Sequence, residues 1–337
     1  MSSLPFSIVD VFSTTPYKGN PLAIVDNTAG TFSDTQMKLI TRQFNLSETT
    51  FFCKPSSNRA DFALRSFLPD GREVFGAGHN ILGVWWYLAA EGKLTLQKPE
   101  RVRDDGTEEF VFHHELGGGI GAVTILRKSN SEGQAELSVS VRQAPPKAHA
   151  EHPDPAALAQ SVGLEAGDIG FAAAAGGGVL KPQVMSTSTT RHLMVPVDSV
   201  EALDRVAVQR DRRLGQLALV DEKAYGVYFF TRVGARKDSC YQARFFSPGM
   251  AGEDPATGSA AGPLSRYLHL HGELEVENGR GRIVVRQGLM TGRECVMEVV
   301  LSVSGEGDDE VAEVDVVGGG ARVMTGHIQV PGASIAF

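Results

Sequence analysis

Along most of this chain apolar and polar residues alternate with a period of two, and only a few stretches keep the spacing of a helix. The alternation predicts β-strands, and the helical spacing predicts helices that begin at Ser33, Gly78 and Gly258, with short ones at 156–162 and within 200–220. The predicted strands cover residues 7–12, 21–25, 111–114, 120–126, 136–141, 193–197, 225–232, 241–246, 283–286, 295–303, 314–317 and 321–330. Many strands and few helices predict an α+β fold.

Local sequence signals predict both the start and the end of the first helix. Ser33 is followed three residues later by Gln36, which is the spacing of a capping box. The apolar residues Met37, Ile40 and Phe44 then keep helical spacing. Asn45 tolerates the left-handed conformation that commonly ends a helix, so we expect the helix to end there.

One pattern of strand, polar loop and helix occurs twice. In each copy an arginine, a phenylalanine and a proline stand at alternate positions before the loop, and a glycine, a tyrosine nine residues on and a glycine fourteen residues on follow it. The first set is Arg65, Phe67, Pro69, Gly78, Tyr87 and Gly92. The second set is Arg244, Phe246, Pro248, Gly258, Tyr267 and Gly272. The repeat predicts two similar halves, and two unrelated strand–turn–helix units are the alternative.

The helices of the two copies begin at the pairs Gly78-His79 and Gly258-Ser259. The start of a helix carries unpaired backbone N–H groups and partial positive charge, so it attracts an anion. A glycine there lets ligand atoms approach the backbone. We therefore expect Gly78 and Gly258 to contribute to substrate binding, with a small carboxylate held from both sides between the two halves.

A carboxylate stands where proton transfer could use it. Glu48 lies between the predicted end of the first helix and the apolar pair Phe51-Phe52. Apolar surroundings would raise the pKa of a glutamate, which suits a general acid/base. A solvated loop glutamate is the alternative, because most glutamates are exposed.

Composition limits the classes of partner. The chain has 337 residues, a net charge of −8 and 21% charged residues, which is typical of a two-domain soluble protein and unlike a nucleic-acid or acidic-membrane binder. No apolar run is long enough to cross a bilayer, and the first residues do not resemble a signal peptide. The three cysteines, Cys53, Cys240 and Cys295, are scattered, which fits a reducing compartment, so we expect a cytoplasmic protein.

Several other chemistries find little support. The glycine triplets do not form a dinucleotide-binding fingerprint, and there is no phosphate loop or nucleophile elbow. The pairs His113-His114 and His269/His271 are interpreted as surface histidines rather than metal ligands, and no metal or cofactor is expected. A hydrolase that uses Ser259, with His79 and Asp254, is conceivable by residue type, although a serine at a helix start commonly caps it.

Five short segments resemble the PhzF-like (phenazine biosynthesis-like) proteins, which share the diaminopimelate-epimerase fold. They appear in the order found in that family and span most of the chain. The segments are Asp10–Phe12 with Gly19–Ala23, Asn45–Thr49, Gly78-His79, Glu253–Ala260, and Gln287-Gly288 with Gly292-Arg293. The resemblance implies two pseudo-symmetric domains, each a β-sheet or barrel curled around a central helix, with the active site between them.

The same resemblance implies an isomerase without cofactor or metal. The glutamate that matches Glu48 is the proton carrier in that family, and the residues matching His79, Asp254 and Ser259 complete the catalytic set. We expect Asn20 and Ser47, with Gly78 and Gly258, to bind a small amino- or hydroxy-carboxylic acid. Homodimers are usual in the family, and no nucleic-acid or membrane partner is expected.

The chain departs from the pattern in three places. Epimerases and racemases of this fold carry a cysteine at each of the two helix starts, whereas this chain has Ala77-Gly78-His79 and Thr257-Gly258-Ser259. Racemisation by two thiols is therefore not expected. Asn80 follows His79 where a small residue or proline is common, and Ala251-Gly252 lengthens the second loop by one residue.

A polar, turn-rich stretch at 128–133 predicts an N-terminal half over residues 1–128, which the last strand at about 321–337 could complete, and a C-terminal half over 129–320. A catalytically silent protein that binds a small metabolite is the main alternative to an isomerase, and the Ser259-dependent hydrolase is the other.

Overall fold

A computed structural model describes residues 3–76, 78–130, 132–173, 176, 178–187, 190–247, 252–305 and 310–337. Pro248, Gly249 and Ala251 of the second predicted loop lie outside the described residues, as does Ala77. Nineteen strands are found in the described ranges: β1 Ser3–Val11, β2 Asn20–Asn27, β3 Thr49–Cys53, β4 Phe62–Phe67, β5 Glu73–Val74, β6 Arg101–Val102, β7 Glu108–Leu116, β8 Gly119–Ser129, β9 Ala135–Gln143, β10 Lys147–Glu151, β11 Gln183–Ser186, β12 Arg191–Pro196, β13 Gly226–Val233, β14 Cys240–Phe246, β15 Glu253–Asp254, β16 Arg280–Gln287, β17 Cys295–Ser304, β18 Val311–Gly318 and β19 Gly320–Gln329.

The helices within the same ranges are fewer, and the predicted α+β class is confirmed. They are α1 Asp34–Phe44, α2 His79–Ala90, α3 Pro155–Ser161, α4 Val200–Arg205, α5 Arg210–Val220 and α6 Gly258–Leu270, with 3-10 turns at Ala166–Asp168 and Arg236–Asp238. The two limits predicted for α1 are confirmed: Ser33 and Gln36 form a capping box, and Asn45 ends the helix in the left-handed conformation. None of the helices in the described ranges is both long and apolar enough to cross a membrane.

The chain divides into two compact units. The first comprises residues 1–141 and 317–337, and the second comprises residues 142–316. At the polar stretch where the sequence predicts a boundary, Lys128 and Ser129 belong to β8 and pair with Glu136 and Ala135 of β9.

Strands of the first unit follow one another in the order β19–β1–β2–β3–β4–β7–β8–β9. The pairs β2/β3 and β4/β7 are parallel, and the others are antiparallel. The sheet surrounds α2, which is buried along most of its length and contacts β1, β2, β3, β8 and β19. Because α2 is apolar on nearly all sides, it is stable only as the core of such a sheet.

The second unit repeats this arrangement. Its strands run β10–β11–β12–β13–β14–β16–β17, with β12/β13 and β14/β16 parallel and the others antiparallel. Helix α6 contacts β11, β12, β16 and β17. The sequence of parallel and antiparallel pairs from β1 to β8 therefore recurs from β11 to β17.

Pairing registers give the residue correspondence between the units. Thr49 pairs with Phe67 in the first unit, and Val227 pairs with Phe246 in the second. Since Phe67 and Phe246 are equivalent in the sequence repeat, Thr49 corresponds to Val227. Consecutive strand residues point to opposite faces. Accordingly, Phe52 packs near Tyr87 of α2, and the equivalent Phe230 packs near Tyr267 of α6.

The repeated arginines have a structural cause. Arg65 donates two hydrogen bonds to Glu73, and Arg244 donates two to Glu253. Each guanidinium also lies 5.1 Å from the ring of the phenylalanine two residues on. The two ion pairs fix the short strands β5 and β15, which lead into α2 and α6. The two unrelated units considered as an alternative are thereby excluded.

One histidine assignment from the sequence is wrong. His114 is buried rather than on the surface, because it lies on the inner face of β7 against the ring of Trp85. Burial lowers the pKa of His114 to about 4, so it is neutral near pH 7. In the described part of the chain, no group of three or more metal-ligating side chains includes either histidine pair.

Candidate functional site

Glu48 immediately precedes β3, at the edge of the sheet where the parallel strands β2 and β3 begin. Two residues further on, the Thr50 hydroxyl lies on the face toward α2, since it bonds Ser66, which in turn accepts a hydrogen bond from Asn80 of that helix. Residues two apart in a strand share a face. The backbone therefore directs Glu48 toward the start of α2.

His79, the first residue of α2, meets Glu48 at that position. Its Nε2 lies 3.4 Å from Oε2 of Glu48, and the side chain of Glu48 is only 21% exposed. Oε2 of Glu48 has no hydrogen bond to any residue the structure describes. The alternative of a solvated loop glutamate is therefore wrong. We refer to these two residues as the Glu48–His79 pair.

Burial raises the pKa of Glu48 to about 7. The cause is loss of hydration of the charged carboxylate, which a single contact at 3.4 Å does not replace. At neutral pH the carboxyl group is thus divided between its protonated and ionised forms. A general acid/base is most effective in that range because it can both accept and return a proton.

Three other predicted residues of the first unit have clear positions. Asn20 begins β2 and is fully buried; two residues on, Leu22 faces Gly83 of α2, so Asn20 lies on the same face as Glu48. Ser47 is half-buried beside Glu48. Gly78 precedes α2 without a side-chain cap, and an added Cβ would meet only Asn80, at an ordinary 3.5 Å. Among the described residues, backbone N–H groups at this helix start are therefore not covered by a side chain at position 78.

Asn80 was identified in the sequence only as a departure from a family pattern. In the structure it is 3% exposed and donates to Ser66, which is bonded to Thr50. This chain of three polar side chains ties the first turn of α2 to β3 and β4. The corresponding residues of the second unit, Ala260, Phe245 and Tyr228, do not form such a chain, so the network is a property of the unit that carries Glu48.

The second unit presents the start of α6. Thr257 is the residue before the helix, and its carbonyl accepts from the N–H groups of Ala260 and Ala261. The N–H groups of Gly258 and Ser259 have no acceptor among the described residues, as expected at a helix start. We call these two N–H groups, together with the Ser259 hydroxyl, the α6 donor site.

Asp254 supports this helix start. Its Oδ2 accepts a 2.6 Å hydrogen bond from the Thr257 hydroxyl. The side chain of Gln287 donates to the carbonyl of Asp254 and to the Thr257 hydroxyl, and accepts from the Thr257 N–H. Gly288 has a φ of +82°, and a Cβ there would lie 2.7 Å from the Pro255 carbonyl. The Gln287-Gly288 segment therefore holds the loop that leads into α6.

Ser259 does not cap α6, contrary to the commoner role considered from the sequence. It is the second residue of the helix, and its Oγ lies 3.2 Å from Nε2 of His192. His192 was not among the predicted site residues. The contact joins residues 67 positions apart, so no local pattern reveals it. A correct prediction of the pairing between β12 and β13 could have suggested it. His192 directly precedes the residue of β12 that pairs with Val227 of β13.

Gln143 was also missed. It donates a 2.8 Å hydrogen bond to the carbonyl of Gly258, the first residue of α6. The cysteines lie elsewhere: Cys53, Cys240 and Cys295 form no disulfide and belong to β3, β14 and β17. The described start of each central helix therefore offers a histidine or a serine, and no thiol.

Comparisons with known proteins agree with this architecture. A trans-2,3-dihydro-3-hydroxyanthranilate isomerase of Pseudomonas chlororaphis is 30% identical over 334 residues, covering 96% of this chain and 98% of that protein. An uncharacterized isomerase of Mesorhizobium japonicum is 28% identical over 331 residues, covering 97% and 99%. The crystal structure of a PhzF-family phenazine biosynthesis protein of Bacillus anthracis matches with a TM-score of 0.78 at 23% identity, over 98% of this chain and all of that one.

Fold and relatives together define an isomerase built on the epimerase-type α+β fold. The family model described as phenazine biosynthesis-like protein (PhzC-PhzF) matches residues 9–326. The chain belongs to that family, and the resemblance identified in the sequence is confirmed.

Proposed function

We propose that this isomerase moves a proton between two carbons of a small carboxylic acid that carries amino or hydroxyl groups, with Glu48 as the general acid/base. The observation that carries the proposal is the buried carboxyl of Glu48, 3.4 Å from His79, with its pKa raised to about 7. A ring acid of the kind named for the Pseudomonas chlororaphis relative is the substrate class we favour.

The proposed reaction needs one base that later acts as an acid. Ionised Glu48 takes a proton from a substrate carbon, and the electron pair of the broken C–H bond spreads over the adjacent unsaturated system toward the substrate carboxylate. Protonated Glu48 then returns the proton to a different carbon, and the enzyme regains its starting state. Such a transfer requires no external oxidant, reductant or cofactor.

In the same proposal the α6 donor site binds the substrate carboxylate. The N–H groups of Gly258 and Ser259 and the Ser259 hydroxyl provide donors, and the partial positive charge of the helix start favours an anion. Their stabilisation would be greatest as negative charge builds on the substrate during proton removal. Asp254, already fixed by Thr257, is assigned to the amino or hydroxyl group of the substrate.

The repeat supports a single acid/base. Glu48 stands one residue before Thr49, and the corresponding residue before Val227 is Gly226. A Cβ at Gly226 would lie 2.3 Å from the Phe245 ring, so this position cannot carry a carboxylate without rearrangement. Asp254 in turn corresponds to Val74. Neither Glu48 nor Asp254 therefore has an acidic counterpart at the equivalent position of the other unit, as a symmetric mechanism with two bases would require. This favours return of the proton by the same group that removed it.

A hydrolase has one supporting observation, the contact between His192 and Ser259. A histidine that activates a serine needs a partner that orients its other ring nitrogen. Nδ1 of His192 has no hydrogen-bond partner in the described ranges. The arrangement considered from the sequence, with His79 as the base, also finds no support, because His79 lies against Glu48. Because neither His192 nor His79 is arranged as a base that activates Ser259, we favour the isomerase over the hydrolase.

Turnover of trans-2,3-dihydro-3-hydroxyanthranilate in D₂O tests the proposal. We expect the purified protein to convert this acid to an isomer of equal mass in H₂O and to incorporate deuterium on a ring carbon in D₂O, seen by NMR and mass spectrometry. Tight binding with neither conversion nor exchange would instead support a silent binding protein. Covalent labelling of Ser259 by a phosphonate reagent would support the hydrolase.

A further inference from the structure

His192 has a fixed position beside the α6 donor site. It is 2% exposed, and its ring packs edge-on against Phe245 with ring centres 5.0 Å apart. On the neighbouring strand His192 pairs with Gly226, whose missing side chain leaves the space that the Phe245 ring occupies. The ring therefore has little freedom to turn away from Ser259.

The environment also fixes how the ring carries its hydrogen. Burial lowers the pKa of His192 to about 4, so the imidazole is neutral near pH 7 and one of its two nitrogens carries a hydrogen. Nε2 lies 3.2 Å from the Ser259 Oγ, whereas Nδ1 is buried without a hydrogen-bond partner in the described chain. A buried N–H without an acceptor is rarer and less favourable than a buried lone pair without a donor.

A hydrogen on Nε2 fits both observations, the contact of Nε2 with Ser259 and the absence of a partner for Nδ1 among the described residues. His192 then donates to the Ser259 Oγ, and the unpartnered Nδ1 carries only a lone pair. The hydroxyl hydrogen of Ser259 is left for another acceptor, beside the N–H groups of Gly258 and Ser259. With the hydrogen on Nδ1, the roles would reverse and Ser259 would donate to the ring, as in a serine that is activated for attack.

We propose that His192 is a positioning residue that makes Ser259 a hydrogen-bond donor to the substrate carboxylate. This inference rests on the proposed function for the identity of the ligand, but the hydrogen position on His192 can be measured without any ligand. The corresponding residue of the first unit is Leu22, since Ala23 pairs with Thr49 and Leu193 pairs with Val227. The device therefore belongs to the second unit alone.

The first test is the state of the ring. Long-range ¹H–¹⁵N NMR of the whole protein, with the His192 signals assigned by their loss in His192→Gln, should show a neutral ring with its hydrogen on Nε2 at pH 7. A hydrogen on Nδ1, or a charged ring at that pH, would overturn the inference. This result does not depend on whether Glu48 catalyses isomerisation, so it separates the two proposals.

The second test is binding of 3-hydroxyanthranilate, the stable aromatic acid with the same substituents as the favoured substrate. We expect His192→Leu to weaken its binding by about tenfold in calorimetry, and His192→Gln, which retains an N–H donor, to stay within about threefold of wild type. Ser259→Ala should lose a similar factor, and the His192→Leu/Ser259→Ala double variant should lose no more than Ser259→Ala alone, because His192 acts through Ser259.

A control ligand separates positioning from general damage. 2-Aminophenol is 3-hydroxyanthranilate without the carboxylate, so its affinity should not change in His192→Leu. An equal loss for both ligands, additive losses in the double variant, or unchanged 3-hydroxyanthranilate affinity in His192→Leu would each overturn the positioning role. If the wild-type protein does not bind 3-hydroxyanthranilate, the proposal of a ring acid as substrate is contradicted. The NMR result still decides the state of His192.

Discussion

Replacing Glu48 with glutamine is expected to lower kcat by about a thousandfold, since general acid/base catalysis typically contributes factors of 10² to 10⁴. Glutamine has nearly the same shape as glutamate and can neither accept nor return the substrate proton. KM should change little, because the carboxylate of the substrate is assigned to the α6 donor site. Steady-state kinetics with trans-2,3-dihydro-3-hydroxyanthranilate measures both constants, and Glu132→Gln, on an exposed turn residue, is the matched control.

Measurements of unfolding free energy distinguish a loss of catalysis in Glu48→Gln from a loss of folded protein. The pKa of Glu48 is raised from 4.5 to about 7, so the folded state holds this proton more tightly than the unfolded state. The resulting stabilisation is fully present below pH 4.5 and is lost as the pH rises through 7. Between pH 4 and pH 8 the wild-type protein should therefore lose about 3 kcal/mol of unfolding free energy through this group. Glu48→Gln does not titrate at this position and should not show that loss. An active Glu48→Gln protein would refute the assigned role.

The second large effect concerns the scaffold. Arg244→Met should destabilise the protein by about 3–5 kcal/mol, because it breaks a buried ion pair from one side. The side chains of Arg244 and Glu253 are only 10% and 8% exposed, and Arg244 also donates to the carbonyls of Leu203, Asp204 and Val206. The variant leaves the buried carboxylate of Glu253 without its ion-pair partner and removes one donor from each of the three carbonyls. Denaturant unfolding measures the loss.

The repeat supplies the matched control for this variant. Arg65 occupies the equivalent position and makes the same kind of pair with Glu73, but its side chain is 29% exposed and water can replace part of the interaction. Arg65→Met should therefore cost roughly 1 kcal/mol. Equal losses for the two variants would mean that burial does not set the strength of these pairs. Since Arg244 fixes Glu253 next to Asp254, Arg244→Met should also raise KM.

Local signals in the sequence predicted the elements well because each has a local cause. The capping box of Ser33 and Gln36, the left-handed Asn45 and the helix starts at Gly78 and Gly258 depend on residues within one turn. The internal repeat was visible because equivalent residues, such as Tyr87 and Tyr267, occupy equivalent places in two cores. Strand ends were less accurate, since pairing extends strands beyond their apolar centres.

The chemistry of the candidate site was only partly predictable. The approach of His79 to Glu48 joins residues 31 positions apart, and the family motifs, rather than spacing, pointed to it. The contact of His192 with Ser259 and that of Gln143 with Gly258 depend on how distant strands meet α6. The role of Asp254 in holding Thr257 likewise depends on the loop conformation, which Gln287 and Gly288 impose from a third segment.

The most direct test of a single buried carboxyl that moves the proton is a ¹³C NMR titration of Glu48, assigned by the signal lost in Glu48→Gln and compared with the pH profile of kcat/KM. We predict that the carboxyl titrates near pH 7 and that kcat/KM rises with the ionised fraction, the two midpoints agreeing within about half a pH unit. A Glu48 carboxyl that titrates near its ordinary value of 4.5, or a profile that follows some other group, would contradict the account.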